Sequence, residues 1–221
     1  MKRKFILTND GSHSLYVEEL DEHYHSTHGA IQEAKHVFLK MGLELFKEHK
    51  ELTILETGLG TGLNCFLTYL ENKEIERKIN YFGFEAYPIT KEEYQKVNYL
   101  KELKAEEDSI FFNKLHLSEW EEWITLTNNF KLLKREEKFK NIDLENEVDL
   151  IYFDAFGPRV QPKLWTVDIF TKMYKALKQN GVLVTYCAKG QVRRNMQEVG
   201  FSVERLEGPP GKREMLRATK S

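Results

Sequence analysis

Three places in the sequence hold side chains whose type and spacing suit chemistry better than packing. The stretch "VDLIYFDAFGPRVQPKLW", residues 148–165, runs an apolar segment straight into Asp154 and then turns through Phe-Gly-Pro. The stretch "ETGLGTGLN", residues 56–64, places glycines at 58, 60 and 62 behind Glu56. The stretch "FGFEA" puts Glu85 about 25 residues beyond those glycines. A carboxylate at the end of a buried strand is held still and points at whatever lies past the sheet. In open α/β sheets that is the ligand crevice.

The glycine loop allows a tight turn and close ligand approach. It lacks the Lys-Ser or Lys-Thr of a P-loop, so no γ-phosphate grip is present. Its GxGxG spacing also departs from GxGxxG, and Glu56 would repel a pyrophosphate. A donor-rich or cationic ligand fits better. S-adenosylmethionine offers a sulfonium, an ammonium and ribose hydroxyls, and Glu85 is placed to accept the hydroxyls. Methyl transfer from a sulfonium is an in-line displacement, in which the protein mainly positions the nucleophile. If the nucleophile is an amine, Asp154 can hold it, orient its lone pair and take a proton. Phe156 would supply a flat face for a base or for the sulfonium. The competing readings are a plain strand–helix junction for the glycines, a solvated strand-end acid for Glu85 and a turn or capping aspartate for Asp154.

These groups need a sheet to carry them. "LTILET", "INYFGFEA", "VDLIYFDA" and "VLVTYCA" read as buried strands. Between them, helical signals cover 63–70, a stretch starting near Thr90, and 165–177, the last closed by Gly181. Ser26 to about Lys47 reads as a helix from Ala30, Ala34, Val37, Phe38, Met41 and Leu45. "SEWEEWITL" suggests a helix capped by Ser118, and "NFKLLKRE" a strand. Residues 191–199 form a short helix ended by Gly200. A hairpin is expected around Asp10-Gly11, and another where "PPGK" joins "FSVERLEG" to "REMLRAT". The expected fold class is α/β, with a mostly parallel sheet, helices on both faces and a C-terminal β-hairpin.

Bulk properties bound the rest. The chain has 221 residues, 41% hydrophobic and 31% charged, with net charge −2. That suits one domain over 1–221 with a hairpin-and-helix extension over about 1–50, and gives no global basic field for nucleic acid. Cys65 and Cys187 have no CxxC spacing and read as reduced thiols. No uncharged apolar run reaches the ~20 residues that span a bilayer, and no signal peptide is evident, so the cytoplasm is expected.

The segments "YHSTHGAIQEAKHVFL", "ETGLGTGLN", "YFDAFGPRVQPKLWTVDIF", "GQVRRNMQEVGF" and "GKREML" occur in that order. Over about Tyr24 to Met215 they resemble the methyltransferase half of the MnmC-type tRNA 5-methylaminomethyl-2-thiouridine biosynthesis proteins and its stand-alone MnmD-like relatives. The resemblance implies a class I S-adenosylmethionine-dependent methyltransferase fold. It also implies methylation of the aminomethyl nitrogen on a wobble uridine, with the tRNA anticodon loop as partner and a separate enzyme making the aminomethyl group. Carried over, Glu56, Gly58, Gly60, Gly62, Asn64, Glu85 and Asp154 become cofactor contacts. Asp154 becomes the catalytic acid, and Glu33 and Trp165 line the substrate pocket. Such relatives carry an acid near the adenine. Here the stretch reads "LLKREEKFKN", where Glu136 and Glu137 compete with Lys138. The bifunctional proteins continue into a flavin-dependent oxidoreductase domain, which is not expected here.

Other clusters are less directive. His23, His25, His28 and His36 lack cysteine neighbours and a metal-like spacing, so no metal is expected, and a share in the active-site wall competes with ordinary placement. From Tyr186 onward eight Lys/Arg face four Glu. Lys189, Arg193, Arg194, Lys212 and Arg213 are candidates for RNA phosphate contact, against a solvated charged face. Trp120, Trp123 and Phe130 are core candidates before they are base-stacking ones. A methyltransferase acting on a small-molecule amine, and a non-catalytic nucleotide- or RNA-binding module, stay open beside the tRNA reading. A nicotinamide dehydrogenase is disfavoured by Glu56.

Overall fold

A computed structural model describes residues 2–221. The chain opens with β1 (Arg3–Leu7), β2 (His13–Val17) and β3 (Glu22–His23), a small antiparallel sheet of its own. The turn at Asp10-Gly11 joins the first two strands, as expected, with Leu7 opposite His13. Next comes α1 (Ala30–Ala34), which widens into a π-helical stretch, Lys35–Lys40, and then a short 3-10 turn, Leu43–Phe46. The single helix expected over 26–47 is therefore shorter and broken. Gly42 marks the break, where any Cβ would lie 2.7 Å from the Phe38 carbonyl.

The main sheet holds eight strands. β4 (Glu51–Thr57) leads through the glycine loop into α2 (Leu63–Lys73), and β5 (Lys78–Phe84) follows. Then come α3 (Lys91–Tyr94), α4 (Tyr99–Glu102), α5 (Ser109–Leu117), β6 (Trp123–Thr127) and β7 (Phe130–Arg135). The remaining elements are β8 (Val148–Phe153), α6 (Val167–Ala176), β9 (Leu177–Thr185), α7 (Gly190–Val199), β10 (Phe201–Glu207) and β11 (Glu214–Lys220). The order is β10-β11-β9-β8-β4-β5-β7-β6; the five central strands run parallel, and β6, β11 and β10 are antiparallel additions. This is the α/β architecture that the strand–helix alternation implies.

Successive strand residues alternate between two cores. Ile54, Tyr81, Leu150 and Tyr152 pack with α1, α2 and α5, while Leu55, Phe82, Ile151 and Phe153 pack with α6 and α7. Both faces are covered, which is why these strands read as continuous apolar runs. From β4 the chain goes to β5 on one side, and it returns to β8 on the other. The crevice beyond the carboxyl ends of β4 and β8 is thus a topological switch point, where ligands bind in such sheets.

Three local expectations fail for identifiable reasons. The helix near Thr90 splits into α3 and α4 because Asn98 serves the β1–β2 turn: its amide donates to the Gly11 carbonyl at 2.8 Å and accepts from His13 N at 2.7 Å. Ser118 closes α5 rather than capping a helix, and "WITLT" continues as edge strand β6, suiting its β-branched content. α5 itself buries Phe111, Phe112 and Leu115. Gly181 does not end α6. The strand begins at Leu177, and residues 178–181 occupy the irregularity between the Val148–Leu177 and Leu150–Val182 pairs.

The N-terminal sheet is tied to the main sheet by Arg3. Its Nε donates to Tyr24 Oη at 2.8 Å, its Nη1 pairs with Glu93 at 3.0 Å, and its Nη2 donates to the Tyr87 carbonyl. Arg3→Ala strands Glu93 and Tyr24 in partly buried surroundings, and the expected loss is roughly 2–3 kcal/mol. Hydrogen exchange should quicken in β1–β3 and stay slow in β4, β5 and β8. Uniform quickening would show that the ion pair supports the whole fold instead.

Candidate active site

The site grows from strand ends. Asp154 N donates to the Thr57 carbonyl at 3.0 Å, extending the β4–β8 ladder by one residue. Gly58 N and Leu59 N donate to the Phe84 carbonyl at 2.8 and 3.1 Å, which pins the glycine loop to the end of β5. Gly58 has φ +93°, and any Cβ there would sit 2.5 Å from the Asp154 carbonyl. Only glycine lets the two loops approach this closely. Glu85 accepts from Gly60 N at 3.0 Å and Tyr87 N at 2.9 Å, so its carboxylate is fixed at the rim of the same loop.

One amide joins the acids. Asn64, at the start of α2, donates through Nδ2 to Glu56 at 2.8 Å and to Asp154 at 2.9 Å. Nδ2 is the end turned to the two carboxyl groups, which leaves the Oδ1 carbonyl on the opposite side. That Oδ1 is buried and has no partner. Glu56 also accepts from Tyr81 Oη at 2.8 Å; burial and the neighbouring Asp154 charge hold its carboxyl well above the ordinary range. Burial raises Asp154 to about 7, with the Glu33 charge adding to the rise and Asn64 and Lys212 opposing it.

These groups edge a cavity of about 430 Å³, within the range of small-ligand sites. Of the expected residues it is lined by Gly58, Gly60, Asn64, Glu85, Asp154 and Phe156. Others complete the lining, and of these the sequence offered only His25 and Lys138 as candidates. Tyr24 leans over Gly60 and meets Phe156 edge-on, with centroids 5.1 Å apart. His25 lines the wall, and burial lowers it to about 4, so the ring is neutral near pH 7. Lys138, Lys140 and Lys163 are exposed where they meet the cavity. The segment "YHSTH" held the only signal for the first two. Of the three lysines only Lys138 carried a signal, as the rival of Glu136 and Glu137; Lys140 shares its loop after β7, and Lys163 follows β8.

The residues present fit S-adenosylmethionine. The unpaired Asn64 Oδ1 calls for a donor such as an ammonium, the glycine loop gives close approach, and Glu85 keeps acceptor capacity for ribose hydroxyls. At the adenine end the expected acid is absent from the lining. Lys138 and Phe139 stand there, while Glu136 and Glu137 do not reach it; Glu136 N instead bonds Glu121 at 2.9 Å.

Several expected contacts are corrected. Glu56 is 1% exposed and lies behind Asn64, acting on the cavity through that amide. Gly62 caps α2 in the left-handed region and faces Leu115 and His116 rather than the cavity. Trp165 is 2% exposed in the α6 core and braces the site by donating to the Phe156 carbonyl at 2.8 Å. Glu33 is buried and paired with Lys212, and neither lines the cavity. Lys189, Arg193, Arg194 and Arg213 lie outside the lining as well; Arg194 bonds Gln191 on its own helix. The histidines disperse: His23 packs on Tyr16, His28 under Gly211, and His36 bonds the Glu207 carbonyl at 2.8 Å. Among the described residues no three His, Cys, Asp or Glu side chains gather as a metal site. Phe130 is core, whereas Trp123 stays 44% exposed against Phe82. Cys65 and Cys187 are both buried free thiols. No helix among the described residues is long and apolar enough to cross a membrane.

Residues 112–221 match a family described as S-adenosyl-L-methionine-dependent methyltransferase. The crystal structure of MnmC2 from Aquifex aeolicus superposes with TM-score 0.82 at 25% identity, covering 100% of this chain and 70% of that one. Spermidine synthase from Thermotoga maritima shares the fold, with TM-score 0.58 at 14% identity over 99% of this chain and 72% of that one. Two curated relatives bear the description tRNA 5-methylaminomethyl-2-thiouridine biosynthesis bifunctional protein MnmC. The one from Hydrogenovibrio crunogenus is 28% identical over 88% of this chain, and the one from Leptospira interrogans 29% identical over 90%. The chain spans only 31% and 32% of their lengths. Fold, cavity and comparisons define a class I S-adenosylmethionine-dependent methyltransferase. Within that class the chain is similar to the methyltransferase part of MnmC-type proteins.

Gly58→Ala should keep the fold's circular dichroism yet weaken S-adenosylmethionine binding at least about ten-fold by calorimetry, because the new Cβ pushes the two loops apart. Unchanged affinity would show that the loops part without consequence. Asp154 sets a second expectation. Its folded value of about 7 exceeds the ordinary 3.8, so between about pH 4 and 7 the folded state keeps a proton that the unfolded chain releases. Wild-type stability should therefore fall as pH rises through that window. Asp154→Asn removes this slope and should gain on wild type by a few kcal/mol at most by pH 8, measured by urea melts at both ends. Parallel stability–pH curves would contradict it.

Proposed function

We propose that this domain transfers the methyl group of S-adenosylmethionine to the aminomethyl nitrogen of 5-aminomethyl-(2-thio)uridine at the wobble position of tRNA, giving 5-methylaminomethyl-(2-thio)uridine. The observation that carries this reading is Asp154, a buried carboxyl anchored by Asn64 at the cavity wall beside Phe156. The relatives' descriptions supply the substrate class.

When bound, S-adenosylmethionine supplies an electrophilic methyl on a sulfonium, whose loss leaves a neutral thioether. Asn64 Oδ1, Glu85 and the glycine loop would hold it. Asp154 would accept a hydrogen bond from the incoming amine, which arrives mostly as ammonium, and take one of its protons so that the nitrogen lone pair is free. A carboxyl raised to about 7 is well matched to that exchange near neutral pH. Phe156 and Tyr24 present apolar faces on which a splayed base can rest, since single-stranded bases are commonly read by stacking. The exposed Lys138, Lys140 and Lys163 at the mouth suit a polyanion. Residues 2–28 would work as part of the same unit, because Tyr24 and His25 belong to the cavity wall. The reading places the enzyme in the cytoplasm with its tRNA.

The test is transfer of labelled methyl to tRNA from cells lacking the protein, followed by identification of the nucleoside. Incorporation at the wobble uridine is expected. Asp154→Ala should cut turnover by about 10²–10⁴ while S-adenosylmethionine affinity stays within a few-fold. No incorporation into any tRNA would overturn the substrate, and full activity of the variant would remove Asp154 from the mechanism.

A further inference from the structure

Lys212 looks in sequence like one more surface cation for RNA phosphates. It is not on the surface in that sense. The turn between β10 and β11 reaches back across the domain, and the Lys212 ammonium pairs with Glu33 on α1. It also lies 3.9 Å from the centroid of the Tyr186 ring. Tyr186 Oη donates to the carbonyl of Ala155, next to Asp154, at 2.8 Å. The other Glu33 oxygen accepts from Ser26 N at 2.9 Å. The turn cannot drift, because Gly211 packs so tightly on His28 that any Cβ would collide with the ring. One ammonium thus links α1, the end of β9 and the terminal hairpin around a single carboxyl.

The surroundings of Asp154 explain why a cation is needed there. Glu56 faces it from β4, Glu33 from α1, Asn64 from α2 and Tyr186 from the end of β9. His25, on the same cavity wall, is held neutral by burial. Of these, the Glu33 carboxylate disfavours a negative charge on Asp154. Among the described residues, Lys212 is the cation that acts on Asp154 in the opposite direction.

We propose that Lys212 is a positioning residue for methyl transfer: fixed between Glu33 and the face of Tyr186, its ammonium neutralises Glu33 and so keeps the Asp154 carboxylate ionised to receive the substrate amine. This rests on the reading of Asp154 as the amine acceptor. Removing the ammonium would leave Glu33 bare beside Asp154, and the acid would release its proton only at higher pH.

The experiment compares wild type with Lys212→Met, Lys212→Arg, Glu33→Gln and the Glu33→Gln/Lys212→Met pair. Two quantities are followed against pH: kcat for tRNA methylation, and the carbon-13 carboxyl shift of Asp154 in the protein without tRNA, assigned by its loss in Asp154→Asn. In Lys212→Met the acid limb of kcat and the carboxyl midpoint should both move up by about one pH unit, roughly ten-fold in kcat below the limb and little above it. Lys212→Arg should restore both midpoints. Glu33→Gln should move them down, and the double variant should return near wild type. A drop in kcat that is equal at all pH values, with an unmoved carboxyl midpoint, would overturn the proposal and leave Lys212 a structural or RNA contact. The carboxyl titration needs no tRNA. A moved midpoint in a protein that methylates no tRNA would therefore uphold the role of Lys212 and defeat only the substrate assignment.

Discussion

The site depends on two buried carboxyl groups sharing one amide. Glu56 and Asp154 sit at the ends of adjacent parallel strands, where like charges at close range would repel. Asn64 resolves the conflict by giving one N–H to each. The remaining carbonyl is a buried acceptor without a partner. Tyr81 secures Glu56 from the next strand. A hydrogen-bond requirement within the sheet thereby becomes a recognition feature of the cavity, with no flexible side chain involved.

The parts of this arrangement that were legible in sequence are those set by local rules. A buried strand followed by glycines, or by an acid and a turn, announces its own carboxyl end. Gly58, Asn64, Glu85 and Asp154 could be found from spacing and resemblance for that reason. Glu56 was correctly placed in sequence but assigned the wrong partner, because strand alternation turns it under the loop toward Tyr81. Trp165 likewise belongs to the right segment, yet its indole points into the α6 core. What stayed hidden was set by tertiary geometry. The division of the α3–α4 region follows from an amide that serves a distant turn, and β6 from pairing with β7. Both outweigh local helix preference.

Charge shows the same limit. The C-terminal excess of Lys and Arg reads as one basic face, but its members do different things. Lys212 turns inward, Arg194 stays with its helix, and the cations at the cavity mouth come instead from the loops after β7 and β8. Counting charges along a sequence gives a sum. Only the fold decides which of them share a field.

The Arg3–Tyr24 and Glu33–Lys212 contacts have a consequence for how the protein is made. The second joins residues 179 positions apart, and the first brings the opening strand onto the cavity wall. Closing such long loops is slow relative to local structure, and it follows the residues it depends on. On a ribosome the central strands can pair while the terminal hairpin is still being synthesised. The charge balance around Asp154 is then a late acquisition, completed only when the last strand has arrived. A nascent or clipped molecule that lacks Lys212 but keeps the central strands would carry the Glu33 charge beside Asp154 unbalanced.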